Sequence, residues 1–167
     1  MQFSGRIESV KTPAGHDEIS RLAKTIWHEH YTPLIGAAQV EYMLERGYTP
    51  IALAREQAAG ARLLLAHEYG QAVGFAGWSP DADDPVHAWL DRLYVLDSAR
   101  GRGVASALIA RIVDDLATRD QLSLRVNRHN SGSIRAYERL GFRILHTDVK
   151  DIGDGFVMDD YIMQRTL

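Results

Sequence analysis

The stretch Leu93-Tyr94-Val95-Leu96-Asp97-Ser98-Ala99-Arg100-Gly101-Arg102-Gly103-Val104-Ala105 constrains this chain more than any other. Leu93–Val95 reads as the apolar end of a strand and Asp97-Ser98 as a turn. Arg100-Gly101-Arg102-Gly103 opens a helix that continues through Val104-Ala105-Ser106-Ala107-Leu108-Ile109. A strand that passes through a glycine turn into a helix start makes an anion site. The first helical N–H groups have no partner inside the helix, and the macrodipole adds positive potential there. Glycine removes the Cβ that would hold an anion away from the backbone, and Arg100 and Arg102 add charge. Two nucleotide loops are excluded, because the chain has no Gly-x-Gly-x-x-Gly and no Gly-Lys-Ser/Thr. What remains is Arg-x-x-Gly-x-Ala, at Arg100, Gly103 and Ala105.

A second stretch follows one helix later. Leu122-Ser123-Leu124-Arg125-Val126 alternates as a strand does and leads into Asn127-Arg128-His129-Asn130-Ser131-Gly132-Ser133. The helix Ile134-Arg135-Ala136-Tyr137-Glu138-Arg139-Leu140 comes next, closed by Gly141-Phe142. In order and spacing the two stretches resemble the cofactor site of the GNAT superfamily, the acetyl-CoA-dependent N-acetyltransferases. Arg100–Ala105 is similar to its pyrophosphate loop, and Val-Asn…Asn-x-x-Ser…Tyr-x-x-x-Gly-Phe to the second half of the site. The resemblance covers residues 60–150 well and the N-terminal third less specifically.

The resemblance implies an α/β fold with a mixed central sheet of about seven strands flanked by about four helices, its central strand splayed to bind CoA. Leu93, Tyr94 and Val95 then contact acetyl-CoA through their main chain. Arg100, Gly101, Arg102, Gly103, Val104 and Ala105 form the pyrophosphate turn. Asn130 bonds the pantetheine or the pyrophosphate, with Ser133 a lesser candidate nearby, while Asn127 is open to a second reading as a turn residue that closes the strand. Tyr137 stands where the family commonly carries the acid that protonates the CoA thiolate.

The chain's 167 residues suit a single domain, residues 1–167, with its own core. The absence of cysteine excludes thiol nucleophiles, disulfides and cysteine-ligated metals. A net charge of -3 advertises neither nucleic acid nor a membrane as partner. With no signal pattern and no long apolar run, the expectation is a cytoplasmic protein.

In order, Ile7–Thr12 reads as an opening strand that Pro13-Ala14-Gly15 ends. A helix from His16 follows, with Asp17 and Glu18 in its first turn, then a break at Tyr31-Thr32-Pro33 and a second helix over Ala37–Arg46 that Gly47 stops. Strands are expected at Ala61–His67, Gln71–Trp78, Ala88–Val95, Leu122–Val126, Phe142–Thr147 and Phe156–Met163. Gly74 and Gly77 in the second of these point to close approach of another element.

Acetyl transfer also needs a route for the amine's proton. Asp91, on the central strand, is the candidate base; His28, His30, Glu41 and a water chain are alternatives. A metal at His28-x-His30 is rejected, since that spacing on a helix turns the two rings apart. Trp27, Tyr31 and Tyr42 are candidates to line the acceptor cleft. Tyr31-Thr32-Pro33, Gln39–Leu44 and Met158–Met163 resemble a branch that includes polyamine acetyltransferases, and Glu41, Glu45, Asp159 and Asp160 are acids able to hold a cationic amine. No Ser–His–acid arrangement is evident, so attack on the thioester is expected to be direct. The reading is therefore transfer of an acetyl group to a primary amine of a small molecule or peptide. The alternatives are a module that senses acyl-CoA without turnover, against which Tyr137 argues, and a scaffold that binds some other anion. Family precedent suggests a homodimer, with the C-terminal strand as the contact.

Overall fold

Three of the chain's five prolines open helices. The computed structural model describes residues 2–167 and contains, among them, seven strands and six helices. In chain order these are β1 (Arg6–Ser9), α1 (Pro13–His30), α2 (Thr32–Ile35), α3 (Ala37–Gly47), α4 (Pro50–Ala58), β2 (Arg62–Glu68), β3 (Gln71–Pro80) and β4 (His87–Val95). A 3-10 turn at Asp97–Ala99 leads into α5 (Val104–Leu116), β5 (Gln121–Asn127), α6 (Ser131–Arg139), β6 (Arg143–Gly153) and β7 (Phe156–Thr166).

The expected α/β architecture and seven strands are present; the helix count is six rather than four. Pro13, read as the end of a strand, begins α1, with Thr12 Oγ1 accepting from Gly15 N at 3.3 Å. Asp17 and Glu18 accordingly fall beyond its first turn. Pro33 sits in the first turn of α2, and Pro50 opens α4 behind Thr49, whose Oγ1 accepts from Ala52 N at 3.1 Å. In each case the missing proline N–H is one the helix start leaves unpaired anyway.

The strands form one sheet in the order β1-β2-β3-β4-β5-β7-β6, antiparallel except for the parallel pair β4–β5. One face carries α5, whose Leu108, Ile109, Ile112 and Leu116 are fully buried against Leu64, Ala76 and Leu122, with Ile134 and Tyr137 of α6 beside them. The other face carries α1, α3 and α4, whose Ile19, Ile26, Val40, Leu44 and Leu53 pack on Leu63, Leu65 and Phe75. Each such fully buried side chain stabilises the fold by about 2 kcal/mol. The C-terminal strand β7 lies between β5 and β6, so it is not an edge; β6 is. No helix among the described residues is long and apolar enough to cross a membrane.

Two features position the site. First, β4 and β5 pair over only four rungs, from His87↔Gln121 to Leu90↔Leu124. Beyond Leu90, β4 swings away while β5 continues along β7 as far as Asn127↔Asp160. A bulge marks the departure: against β3, Gly77 faces Arg92 and Trp78 faces Leu90, leaving Asp91 as the extra residue. Second, Gly74 and Gly77 do mark close approach. A Cβ on Gly74 would stand 2.9 Å from Tyr94 O and 3.2 Å from Val104 Cγ1.

The paired end of β4–β5 is fastened by a polar relay. Asp81 Oδ2 accepts from Trp89 Nε1 at 2.7 Å and lies 3.2 Å from His87 Nδ1. His87 Nε2 is 2.7 Å from Ser123 Oγ, which also accepts from Gln164 Nε2 at 3.1 Å. This is a serine–histidine–aspartate order that the sequence did not reveal. Ser123 is 1% exposed, however, and the relay ties the β3–β4 loop to β5 rather than presenting a nucleophile.

Candidate active site

Where β4 and β5 part, the main chain of Leu93, Tyr94 and Val95 has no partner on the β5 side. Leu96 N donates to Val73 O at 2.9 Å and turns the chain into the helix start. Gly101 and Gly103 have φ of +75° and +82°, the left-handed region where a side chain is strained. A Cβ on Gly101 would meet nothing within 4 Å, so the turn opens outward. Gly103 is the N-cap of α5 and no side chain caps that helix, which leaves the N–H groups of Val104, Ala105 and Ser106 available to an anion. The pyrophosphate moiety of coenzyme A, a dianion with acceptor oxygens, fits this cradle.

The two arginines of the turn differ. Arg102 Nη2 pairs with Glu68 Oε2 at 2.9 Å, and Glu68 is only 8% exposed, so Arg102 is held down on β2. Arg100 is half-exposed, 3.7 Å from Asp97 and 3.4 Å from His30 Nδ1. Asn130, 3% exposed, caps α6 by accepting from Ser133 N at 3.3 Å, lies 3.1 Å from His30 Nε2, and donates to Tyr31 Oη at 3.4 Å. The structure thus places Asn130 at the N-cap of α6 and Ser133 in its first turn, with the Asn130 side chain engaged by the protein itself. Asn127 closes its strand: Oδ1 accepts from His129 N at 2.9 Å.

Tyr137 projects from α6 with its ring 5.8 Å from Phe142 in an edge contact. Its phenol is pushed well above the usual tyrosine range, first by burial and then by Tyr31 and Tyr48. The same holds for Tyr94, raised by burial, Tyr48 and Tyr31. The phenol of Tyr48, a residue with no signal in the sequence, donates to Tyr94 Oη at 3.3 Å. Around these, Trp27 stacks on Tyr31 at 4.4 Å and lies 5.7 Å from Tyr94. All these phenols are protonated at neutral pH, so the cleft holds proton donors in an apolar setting.

Two cavities adjoin this cluster. A small one, about 70 Å³, is lined by Trp27, Tyr31, Met43, Tyr94, Asn127 and Asp160, among others. A larger one, about 660 Å³, is lined by Tyr42, Met43, Arg46, Asp91, Arg92 and Lys150, among others. Met43 borders both. The candidate acceptor residues are therefore divided, with Trp27 and Tyr31 in the small cavity and Tyr42 in the large one. Tyr42 Oη donates to Ile152 O at 2.6 Å, accepts from Arg46 at 2.7 Å, and pins the β6–β7 hairpin to α3.

Asp91 faces the large cavity because the bulge puts it on the same side as Arg92. Its carboxyl is raised from the ordinary value by desolvation, opposed by a hydrogen bond with Ser79 and by Arg92. Arg92 is buried and pairs with Glu56 at 2.6 Å and Gly47 O at 2.9 Å. The other base candidates are engaged elsewhere: His28 pairs with Glu41 at 2.7 Å on an exposed face, and His30 bridges Arg100 and Asn130.

Comparison with known proteins agrees with this geometry. Residues 21–142 match the model of the Acetyltransferase (GNAT) family, and the chain belongs to that family. Among curated relatives, a mycothiol acetyltransferase of Acidimicrobium ferrooxidans is 36% identical over 106 residues, 59% of this chain but 34% of that protein. An uncharacterised N-acetyltransferase of Mycobacterium tuberculosis is 33% identical over 107 residues, 63% of this chain and 67% of its own. Among solved structures, the PaiA N-acetyltransferase of Thermoplasma acidophilum in complex with coenzyme A superposes with a TM-score of 0.80 at 20% identity. The match covers 99% of this chain and all of that one. A GCN5-related N-acetyltransferase of Rhodopseudomonas palustris gives 0.80 at 16% identity, over 100% and 98% of the two chains. At these identities the structural matches speak for the fold.

Proposed function

We propose that this chain transfers an acetyl group from acetyl-CoA directly to a primary amine of a small molecule, a polyamine among the candidates, or of a peptide. The observation that carries the reading is the opening between β4 and β5, which joins an uncapped helix start at one end to a cluster of protonated phenols at the other. The free N–H groups of Val104, Ala105 and Ser106, with Arg100, hold the pyrophosphate. The unpaired main chain of Leu93–Val95 fixes the pantetheine arm and polarises the thioester carbonyl. Asp91 draws a proton from the amine across the larger cavity, directly or through water. Tyr137 hands its proton to the departing thiolate and recovers one from the amide nitrogen, so that a C–N bond replaces the C–S bond.

The testing experiment is release of CoA thiol from acetyl-CoA with spermidine, aminoglycosides, amino acids and short peptides, alongside CoA binding by calorimetry. Amine-dependent release supports the reading. Tight CoA binding without turnover of any amine moves the protein to the acyl-CoA-sensing alternative, and no CoA binding removes both. A homodimer belongs to the same reading, formed through edge strand β6, where Ile144, Leu145 and Val149 are exposed.

A further inference from the structure

Asp160 is a buried carboxylate with no ion pair among the described residues, on the wall of a small cavity that Arg125 also lines. It is 3% exposed, and its Oδ2 has no hydrogen-bond partner among the described residues. The nearest cation of the sheet, Arg125, is committed to an ion pair with Asp148 on β6 and lies over the Trp89 ring at 5.7 Å. Asp159, next in the chain, is likewise paired, with Arg128 at 2.8 Å. A buried carboxylate left in this state costs several kcal/mol, on the order of what a missing charged partner is worth. Its place explains why it is kept. Asp160 sits opposite Asn127, on the last β5–β7 rung, three residues past the point where β4 leaves β5, and lines the small cavity with Trp27, Tyr31 and Tyr94.

We propose that Asp160 is the specificity-determining anchor for a cationic acceptor: it binds the ammonium head of an unbranched primary amine, which then passes one proton through water to Asp91, so that the neutral nitrogen attacks the thioester. The aromatic walls suit the same guest, since ring faces attract an ammonium. At about 70 Å³ the cavity has room for a head group. Burial lifts the Asp160 carboxyl to about 6, Arg125 lowers it, and Asp148 and Asp159 raise it, so the group is ionised and ready for a cation at neutral pH. Tyr31 and Tyr94, which also border the cavity, are protonated in that range and add no charge.

This inference rests on the acetyl-transfer reading, and its test separates the two. In Asp160→Asn, kcat/KM for propylamine and spermidine, cationic at pH 7.5, falls by about 100-fold through KM, as loss of a buried charge partner should produce. Methoxyamine, neutral at that pH, keeps its kcat/KM within threefold, and CoA affinity is unchanged. Equal losses for cationic and neutral amines would overturn the proposal in favour of a merely structural carboxylate, and no loss for either would also overturn it. A second measurement needs neither turnover nor a folded variant. In CoA-bound wild type, the carbon-13 titration of the Asp160 carboxyl shifts to lower pH when propylammonium is added and is unmoved by propanol. A titration indifferent to propylammonium rejects the anchor even in an active enzyme. The expected shift in a protein that turns over no amine rejects acetyl transfer and leaves the anchor standing.

Discussion

Leu90 is the last residue of β4 to face β5, and Leu124 is its partner; one residue later the two strands separate. The bulge at Asp91 that turns β4 away also rotates Asp91 and Arg92 onto the same face, so one irregularity opens the cofactor cleft and furnishes the larger cavity. The relay of Asp81, His87 and Ser123 holds the other end shut. The opening is thus set by the bulge in β4 at one end and by the relay at the other.

The contact of Gly74 with Tyr94 O sets a limit on β3. Gly74→Ala places a Cβ 2.9 Å from that oxygen and 3.2 Å from Val104. Urea unfolding should show a loss of about 2 kcal/mol, the range for overpacking. CoA affinity should fall with it, because both β4 and the start of α5 must shift. A variant as stable as wild type with unchanged CoA affinity contradicts the close approach.

Arg100 and Arg102 should separate in mutagenesis. Arg102→Gln leaves the buried Glu68 without its partner and should cost stability, about 1–3 kcal/mol by thermal or urea unfolding. Its effect on CoA affinity at equal folded fraction should be small. Arg100→Gln should do the reverse: little change in stability and a weaker, less salt-dependent CoA complex. Calorimetry at two ionic strengths checks both.

The relay gives a pH signature. Hydrogen bonds from Asp83 N and Trp89, the largest causes, hold the Asp81 carboxyl down at about 2, against an ordinary value of 3.8. A depressed carboxyl contributes stability that is fully present above the unfolded value and is lost as pH falls through the folded one. The melting temperature of wild type should therefore exceed that of Asp81→Asn by a constant margin above pH ~5 and converge on it as pH approaches ~2. A margin that survives unchanged to pH 2 would falsify the relay as a charged contact.

Asp91 should act on rate rather than on recognition. Desolvation raises its carboxyl, so the acid limb of the pH–rate profile should lie above the ordinary aspartate value. Asp91→Asn should lower kcat by about 100-fold for cationic and neutral amines alike and flatten that limb. A loss confined to cationic amines would instead make Asp91 a second binding carboxylate.

How much of this could be read from residues alone differs by element. The turn from Leu93 to Ala105 was legible because glycine positions and an uncapped helix start are local properties, and the same is true of the Leu122–Phe142 stretch. Helices opened by Pro13, Pro33 and Pro50 were harder, since a proline after a polar residue reads equally as a break and as a first helical turn. Asp91 was a candidate by strand position, but its facing followed from a bulge, which shifts alternation by one and leaves no mark in the sequence. Tyr48, the Asp81–His87–Ser123 relay and the isolation of Asp160 depend on partners far along the chain, so no spacing could announce them. Tyr42, a candidate for the acceptor cleft, lines the larger cavity and also ties α3 to Ile152, a partner 110 residues away that no spacing indicates.

Tyr137, a phenol kept protonated by burial, is proposed to give its proton to the CoA thiolate at the end of an acetyl transfer. The most direct measurement is single-turnover transfer from carbon-13 acetyl-CoA to a primary amine, followed by mass spectrometry of the amide, in wild type and Tyr137→Phe with CoA affinity measured in parallel. The prediction is labelled amide from wild type, a rate lower by about 100-fold or more in the variant, and equal CoA affinity in both. Equal rates in the two proteins would contradict Tyr137 as the acid, and no labelled amide from wild type would contradict acetyl transfer itself.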